Sequence, residues 1–94
     1  PYKGYFRLGY LAHEQGRLSE AIKYYEQILL MDNVPEGRIA VTMSNLSNIY
    51  WDLHQHQPYW DHGSKNKAIE LKRQAAALGH IRCQEWLKDN GYDW

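Results

Sequence analysis

Alanine stands in this chain where the helical patterning calls for an inward-facing side chain. Two stretches show it, AIKYYEQILLMD at 21–32 and KAIELKRQAAALGH at 67–80. In each, an Ala-Ile pair opens an apolar stripe with the spacing of one buried face of an α-helix. Leu18, Ala21, Ile22, Tyr25, Ile28 and Leu29 make the first stripe; Ala68, Leu71, Ala75 and Leu78 make the second. A methyl group on a buried face lets two helix backbones approach closely, whereas a larger side chain pushes them apart. Helix propensity alone accounts for Ala77, on the outer face, but not for Ala21, Ala68, Ala75 and Ala76.

Three further stripes have the same period: Tyr5, Leu8, Gly9 and Ala12; Ile39, Met43, Leu46, Tyr50 and Leu53; and a short one of Ile81, Cys83, Trp86 and Leu87. No segment sustains the period of two that a strand requires. The spacing predicts five helices, over about 3–15, 18–31, 35–54, 65–78 and 80–90. Gly16, Gly79 and Gly91 each follow a stripe, where glycine closes a helix in the left-handed conformation. Pro35 suits the first position of the third helix, where its missing N–H is not needed. Ser64 suits the N-cap of the fourth. The very short turn at Gly16-Arg17 forces helices one and two into an antiparallel hairpin. Helices three and four form a second hairpin with a longer connection, and helix five is left without a partner.

The offsets within the hairpins carry a resemblance. Leu8-Gly9, Ala21 twelve residues after Gly9, and Tyr25 four residues after Ala21 resemble the tetratricopeptide repeat, with Tyr5 in its first aromatic slot. Ala12 and Ile28 depart from that pattern, and its terminal proline is displaced to Pro35. The second hairpin is similar to the related Sel-like repeat: Leu46-Ser47-Asn48-Ile49-Tyr50, then Lys67-Ala68, Ala75-Ala76 and Gly79. Cys83 and Leu87 restart that pattern. The resemblance implies an all-α, right-handed superhelical stack of two antiparallel helical hairpins plus a C-terminal capping helix. Within one domain, 1–94, repeat one would span about 3–32, repeat two about 35–79 and the capping helix about 80–90.

Composition narrows the classes of function. Eleven Lys and Arg balance eleven Asp and Glu, which argues against a basic nucleic-acid footprint. Lys65, Lys67, Lys72 and Arg73 cluster in helix four, but Glu70 interrupts them, and they read as a solvated outer face. No apolar run is long enough for membrane insertion. The single cysteine, Cys83, suits a reducing compartment such as the cytoplasm. The chain opens at Pro1 rather than Met and reads as a fragment of a longer protein.

Little in the sequence points to chemistry. His54, His56 and His62, with Asp61, have a superficial metal-ligand look, yet residues two apart on a helix face away from each other. They read as solvated loop histidines, so neither metal nor cofactor is expected. His80 and Cys83, three apart, could form a thiol–imidazole nucleophile, but a small residue buried in a repeat seam is the simpler reading. No catalytic residue is assigned.

In tetratricopeptide-type stacks the first helix of each hairpin lines a concave face that commonly receives peptides. The resemblance places Phe6 and Tyr10 of helix one on that face, beside Lys3 and His13. It adds Ser44, Asn45, Asn48 and Trp51 of helix three and Arg82 of helix five. Asn45 and Asn48 could pair with a peptide backbone, Arg82 with a carboxylate, and Phe6, Tyr10 and Trp51 could anchor apolar groups. The clamp that some family members use for a C-terminal carboxylate needs Lys and Asn on the first helix; Phe6 and Tyr10 stand in those slots and weigh against that ligand class. The expected function is a protein- or peptide-binding scaffold, with self-association through exposed end helices, or a spacer role in a larger protein, as the alternative. The Pro58-Tyr59-Trp60 loop is a second candidate for contact, and Gly91 to Trp94 is expected to shield the last helix pair.

Overall fold

The structure is a computed structural model that describes residues 1–56 and 62–94, His62 by its backbone alone. Five helices follow one another: α1 (Tyr2–Glu14), α2 (Leu18–Leu29), α3 (Glu36–His56), α4 (His62–Ala77) and α5 (Ile81–Asp89), with no strand among the described residues. The fold is all-α, as the periodicity predicts. Each helix packs chiefly on its neighbours in sequence: α1 on α2, α2 on α3, α3 most extensively on α4, and α4 on α5. That nearest-neighbour pattern is the mark of stacked helical hairpins.

Small side chains occupy the seams. Ala12, Ala21, Ala68 and Ala75 have no accessible surface and Ala76 retains 1% of its own, whereas Ala77 is exposed. Around Ala12 and Ala21 gather Tyr25, Ile28, Leu46, Ile49 and Leu71; around Ala75 and Ala76 gather Ile69, Cys83 and Leu87. α3 is sandwiched between α2 and α4, so it must bury more than one face. It does so with short hydroxyl residues that satisfy themselves. Thr42 Oγ1 donates to the Arg38 carbonyl at 2.7 Å and Ser47 Oγ to the Ser44 carbonyl at 2.7 Å, so neither brings an unpaired polar group into the core.

Three helix ends share one mechanism. Gly16, Gly79 and Gly91 have φ of 75°, 98° and 81°. Behind each glycine two backbone bonds close the last turn. Arg17 N–H reaches the Ala12 carbonyl at 2.9 Å, His80 N–H the Ala75 carbonyl at 3.0 Å, and Tyr92 N–H the Leu87 carbonyl at 2.8 Å. The glycine N–H groups bond to His13, Ala76 and Lys88. This is the Schellman arrangement, and the carbonyl it satisfies belongs each time to a fully buried residue, Ala12, Ala75 or Leu87.

Several expectations need correction. Ser64 does not cap α4, which begins at His62 and carries Ser64 inside its first turn as a buried residue. Pro35 lies one position before the first helical residue of α3 and contributes its carbonyl to the N–H groups of Arg38 and Ile39. Leu8 and Ile81 lie on predicted buried stripes but remain 45% and 65% exposed, because no described element covers the outer side of α1 or the start of α5. Helix five is not without a partner. It packs on α4, and Gln84 Nε2 donates to the Ala76 carbonyl at 2.9 Å. Tyr92 folds back onto α5, its ring stacked on Trp86 at 6.1 Å, while Trp94 stays half-exposed. The Pro58-Tyr59-Trp60 loop and Asp61 lie outside the described residues.

The tightest approach in the first hairpin is Gly9 to Tyr25. A Cβ on Gly9 would sit 3.0 Å from two atoms of the Tyr25 ring. That ring cannot swing away freely, since Phe6 meets it edge-on at 5.6 Å and Asn45 Nδ2 donates to its hydroxyl at 3.3 Å. Gly9→Ala gains about 1 kcal/mol of helix propensity and incurs roughly 1–3 kcal/mol of overpacking. A net loss of about 1 kcal/mol is expected, read as a lower urea midpoint at unchanged m-value.

Candidate functional site

An open cavity of about 690 Å³ lies between the N-terminal two-thirds of α3 and the α4–α5 turn. Its floor is the α3 face of Gly37, Ala40, Val41, Ser44, Asn45 and Asn48, where small residues at successive turns leave a channel. The opposite wall is Leu78, Gly79, His80, Ile81 and Arg82, and Lys72 and Trp86 stand at one end with Cys83 below. The Schellman turn at Gly79 makes this wall possible, because it sends the chain from α4 directly into α5 without a loop that would fill the space.

The structure brings Asn45, Asn48 and Arg82 together on this groove, with Ser44 beside them. Arg82 is exposed and has no carboxylate partner among the described residues. Asn48 is exposed and accepts a hydrogen bond from Lys72 Nζ at 3.1 Å. Trp51 lies past the end of the groove, edge-on to Trp86 at 5.4 Å and beside His54 at 5.4 Å, so its ring is largely engaged in joining α3 to α5. Phe6 and Tyr10 do not line the groove. Phe6 packs on Tyr25 within the first hairpin, and Tyr10 is 52% exposed on α1. His13 is bonded through Nε2 to Asp52 Oδ2 at 2.8 Å, tying α1 to α3.

Lys72 corrects the reading of helix four as a solvated face. It is buried, 5% exposed, with Nζ 4.9 Å from the centre of the Trp86 ring. Its neighbours Lys67 and Arg73 also approach rings, Tyr50 at 5.9 Å and Tyr92 at 5.6 Å, and Arg73 Nε donates to the Asp93 carbonyl at 3.0 Å. Burial lowers the Lys72 pKa below its usual value, since removal from water disfavours the charged form. Helical spacing held the signal for Lys72. It stands four residues after Ala68 and four before Ala76, both buried, and so falls on the seam and not on the outer face.

His80 and Cys83 do not assemble a nucleophile and base. Cys83 is buried, and its backbone N–H donates to His80 Nδ1 at 3.3 Å, which makes the imidazole the N-cap of α5. Among the described residues no three His, Cys, Asp or Glu side chains gather as metal ligands, and no helix is long and apolar enough to cross a membrane.

Residues 2–34 match the tetratricopeptide repeat family. The match spans the hairpin of α1 and α2, and helical hairpins of that family generally serve protein–protein interaction and scaffolding. The offsets in which the sequence resembles that repeat are physical contacts of the hairpin: Gly9 against the Tyr25 ring, and Ala21 with no exposed surface. No curated protein and no solved structure matches the chain.

The cap makes α5, and with it one groove wall, sensitive to acid. The His80 pKa lies below its ordinary value of 6.5, first because the ring is partly buried and then because Arg82 and Lys72 are close. The unfolded chain binds this proton at a higher pH than the folded one. The contribution of His80 to stability is therefore present above about pH 6.5 and lost as pH falls from there through the lowered folded value. Protonation turns Nδ1 from acceptor to donor and releases the Cys83 N–H. Amide exchange in α5, corrected for intrinsic rate, should be faster at pH 5 than at pH 7. His80→Asn keeps a capping side chain without this titration and should remove the difference.

Proposed function

We propose that the chain is a protein-binding scaffold module whose groove between α3 and α5 receives an extended peptide segment. The observation that carries this reading is the groove itself. It is an open channel floored by small residues, lined by the side-chain amides of Asn45 and Asn48 and by the guanidinium of Arg82, which has no carboxylate partner among the described residues. An extended peptide exposes alternating N–H and C=O groups, and an asparagine amide offers both complements. The match of residues 2–34 to the tetratricopeptide repeat family supports a scaffold role. On this reading α3 and α4 are a second, Sel-like repeat, α5 caps a single right-handed stack spanning 1–94, and no cofactor takes part.

One observation favours self-association as a second reading. Leu8 and Leu11, three apart on one side of α1, leave apolar surface exposed, and adjoining exposed apolar residues mark contact surfaces. Peptides selected from a random displayed library, measured by fluorescence anisotropy, separate the two. The double variant Asn48→Ala, Arg82→Ala should bind the selected peptides about 10-fold more weakly, with its helical circular dichroism unchanged. Equal binding by the double variant removes the groove assignment. A mass that rises with concentration in light scattering, and is restored to monomer by Leu11→Ser, supports self-association through α1.

A further inference from the structure

We infer that the segment received by the groove is acidic, and that it brings a carboxylate to Lys72 and Arg82 beside Trp86. The inference deepens the peptide-groove reading and rests on it. The chain as a whole is neutral, with equal numbers of acidic and basic residues. The groove is not. Among the described residues it is lined by Lys72, His80 and Arg82 and by no Asp or Glu.

Lys72 is the decisive group. Its ammonium carries three N–H donors and a full charge in a nearly dry position. One donor goes to the neutral Asn48 Oδ1 at 3.1 Å, and the charge faces the Trp86 ring at 4.9 Å. No carboxylate among the described residues comes within ion-pair distance, although the chain forms such pairs elsewhere, Arg17 with Glu20 at 3.0 Å among them. Buried charges in folded proteins are ordinarily paired, because desolvation without a counter-ion is costly. A methionine would fill a similar volume in this seam without that penalty. A buried cation beside an open groove, bonded to an amide oxygen and to no carboxylate among the described residues, can take one from a segment that enters the groove. Trp86 limits water there, which strengthens an ion pair once formed. Arg82, which also lines the groove, supplies a second, exposed cation. The site lies apart from the α1 positions held by Phe6 and Tyr10.

The carboxylate could belong to an Asp or Glu side chain or to a chain end, and amidation of the peptide C-terminus distinguishes these. The experiment compares peptides selected from the random library with copies in which each acidic residue is changed to its amide. Both sets are measured by anisotropy against the wild-type protein, Lys72→Met and Arg82→Gln. We expect the selected peptides to be rich in Asp and Glu, or to need a free C-terminus. Loss of the carboxylate should weaken wild-type binding about 10-fold or more and change binding to Lys72→Met no more than about 2-fold. Lys72→Met should also melt no lower than wild type, as expected when an unpaired buried charge is removed. Arg82→Gln, at an exposed position, is the variant least exposed to folding artefacts and should lose part of the same discrimination. Neutral or basic selected peptides overturn the acidic inference while leaving a peptide groove standing. So does carboxylate discrimination that survives intact in both variants, or a lowered melting temperature in Lys72→Met with full retention of acidic-peptide binding. Recovery of no peptide removes the groove reading and the inference together.

Discussion

The close approach of helix backbones at alanine is the constraint on which the rest of this structure depends. α3 and α4 form the most extensive helix pair, and α4 turns Ala68, Ala75 and Ala76 inward with almost no surface left accessible. A side chain larger than methyl at these points would separate the rods. It would also displace the turn at Gly79 and the start of α5 that follows it. The groove beside α3 is therefore a consequence of the seam. Its wall stands where it does because α4 lies close to α3 and ends abruptly.

Two devices let so short a chain bury a helix on both sides. The first is the self-satisfied hydroxyl. Thr42 and Ser47 return their hydrogen bonds to their own helix, so neither buried hydroxyl of α3 is left without a partner. The second is the repeated glycine closure, which satisfies the carbonyls of Ala12, Ala75 and Leu87 in the very places where no water reaches. Together they convert three helix ends into tight corners, and tight corners keep sequence neighbours in contact.

Cations and rings organise the C-terminal half. Trp51, Trp86 and Tyr92 form a continuous aromatic run from α3 across α5 to the folded-back terminus, and Lys72 and Arg73 sit over the last two rings. Arg73 lies toward solvent and closes the terminus down. Lys72, one residue earlier on the same helix, points about 100° away around the axis and so falls in the seam. Two adjacent basic residues thus have different environments, one a surface clasp and the other a buried charge at the end of a groove.

The amino-acid sequence by itself determined the helices, the two hairpins, the alanine seams and the glycine corners. Each of these is local, resting on a 3.6-residue period, a methyl group or a positive φ, and the spacing of Gly9, Ala21 and Tyr25 carried a resemblance that residues 2–34 share with the tetratricopeptide repeat family. It also drew Asn45, Asn48 and Arg82 toward one face, through offsets that the resemblance supplied. Only the tertiary structure decided that Phe6 packs inside its hairpin, that His80 caps α5 instead of serving Cys83, and that Lys72 is buried against Trp86. Those outcomes depend on how far one helix is rotated against the next. A basic residue at a seam and one at a surface look alike in a chain until the partner helix is set beside it, because burial belongs to the pair and not to the residue.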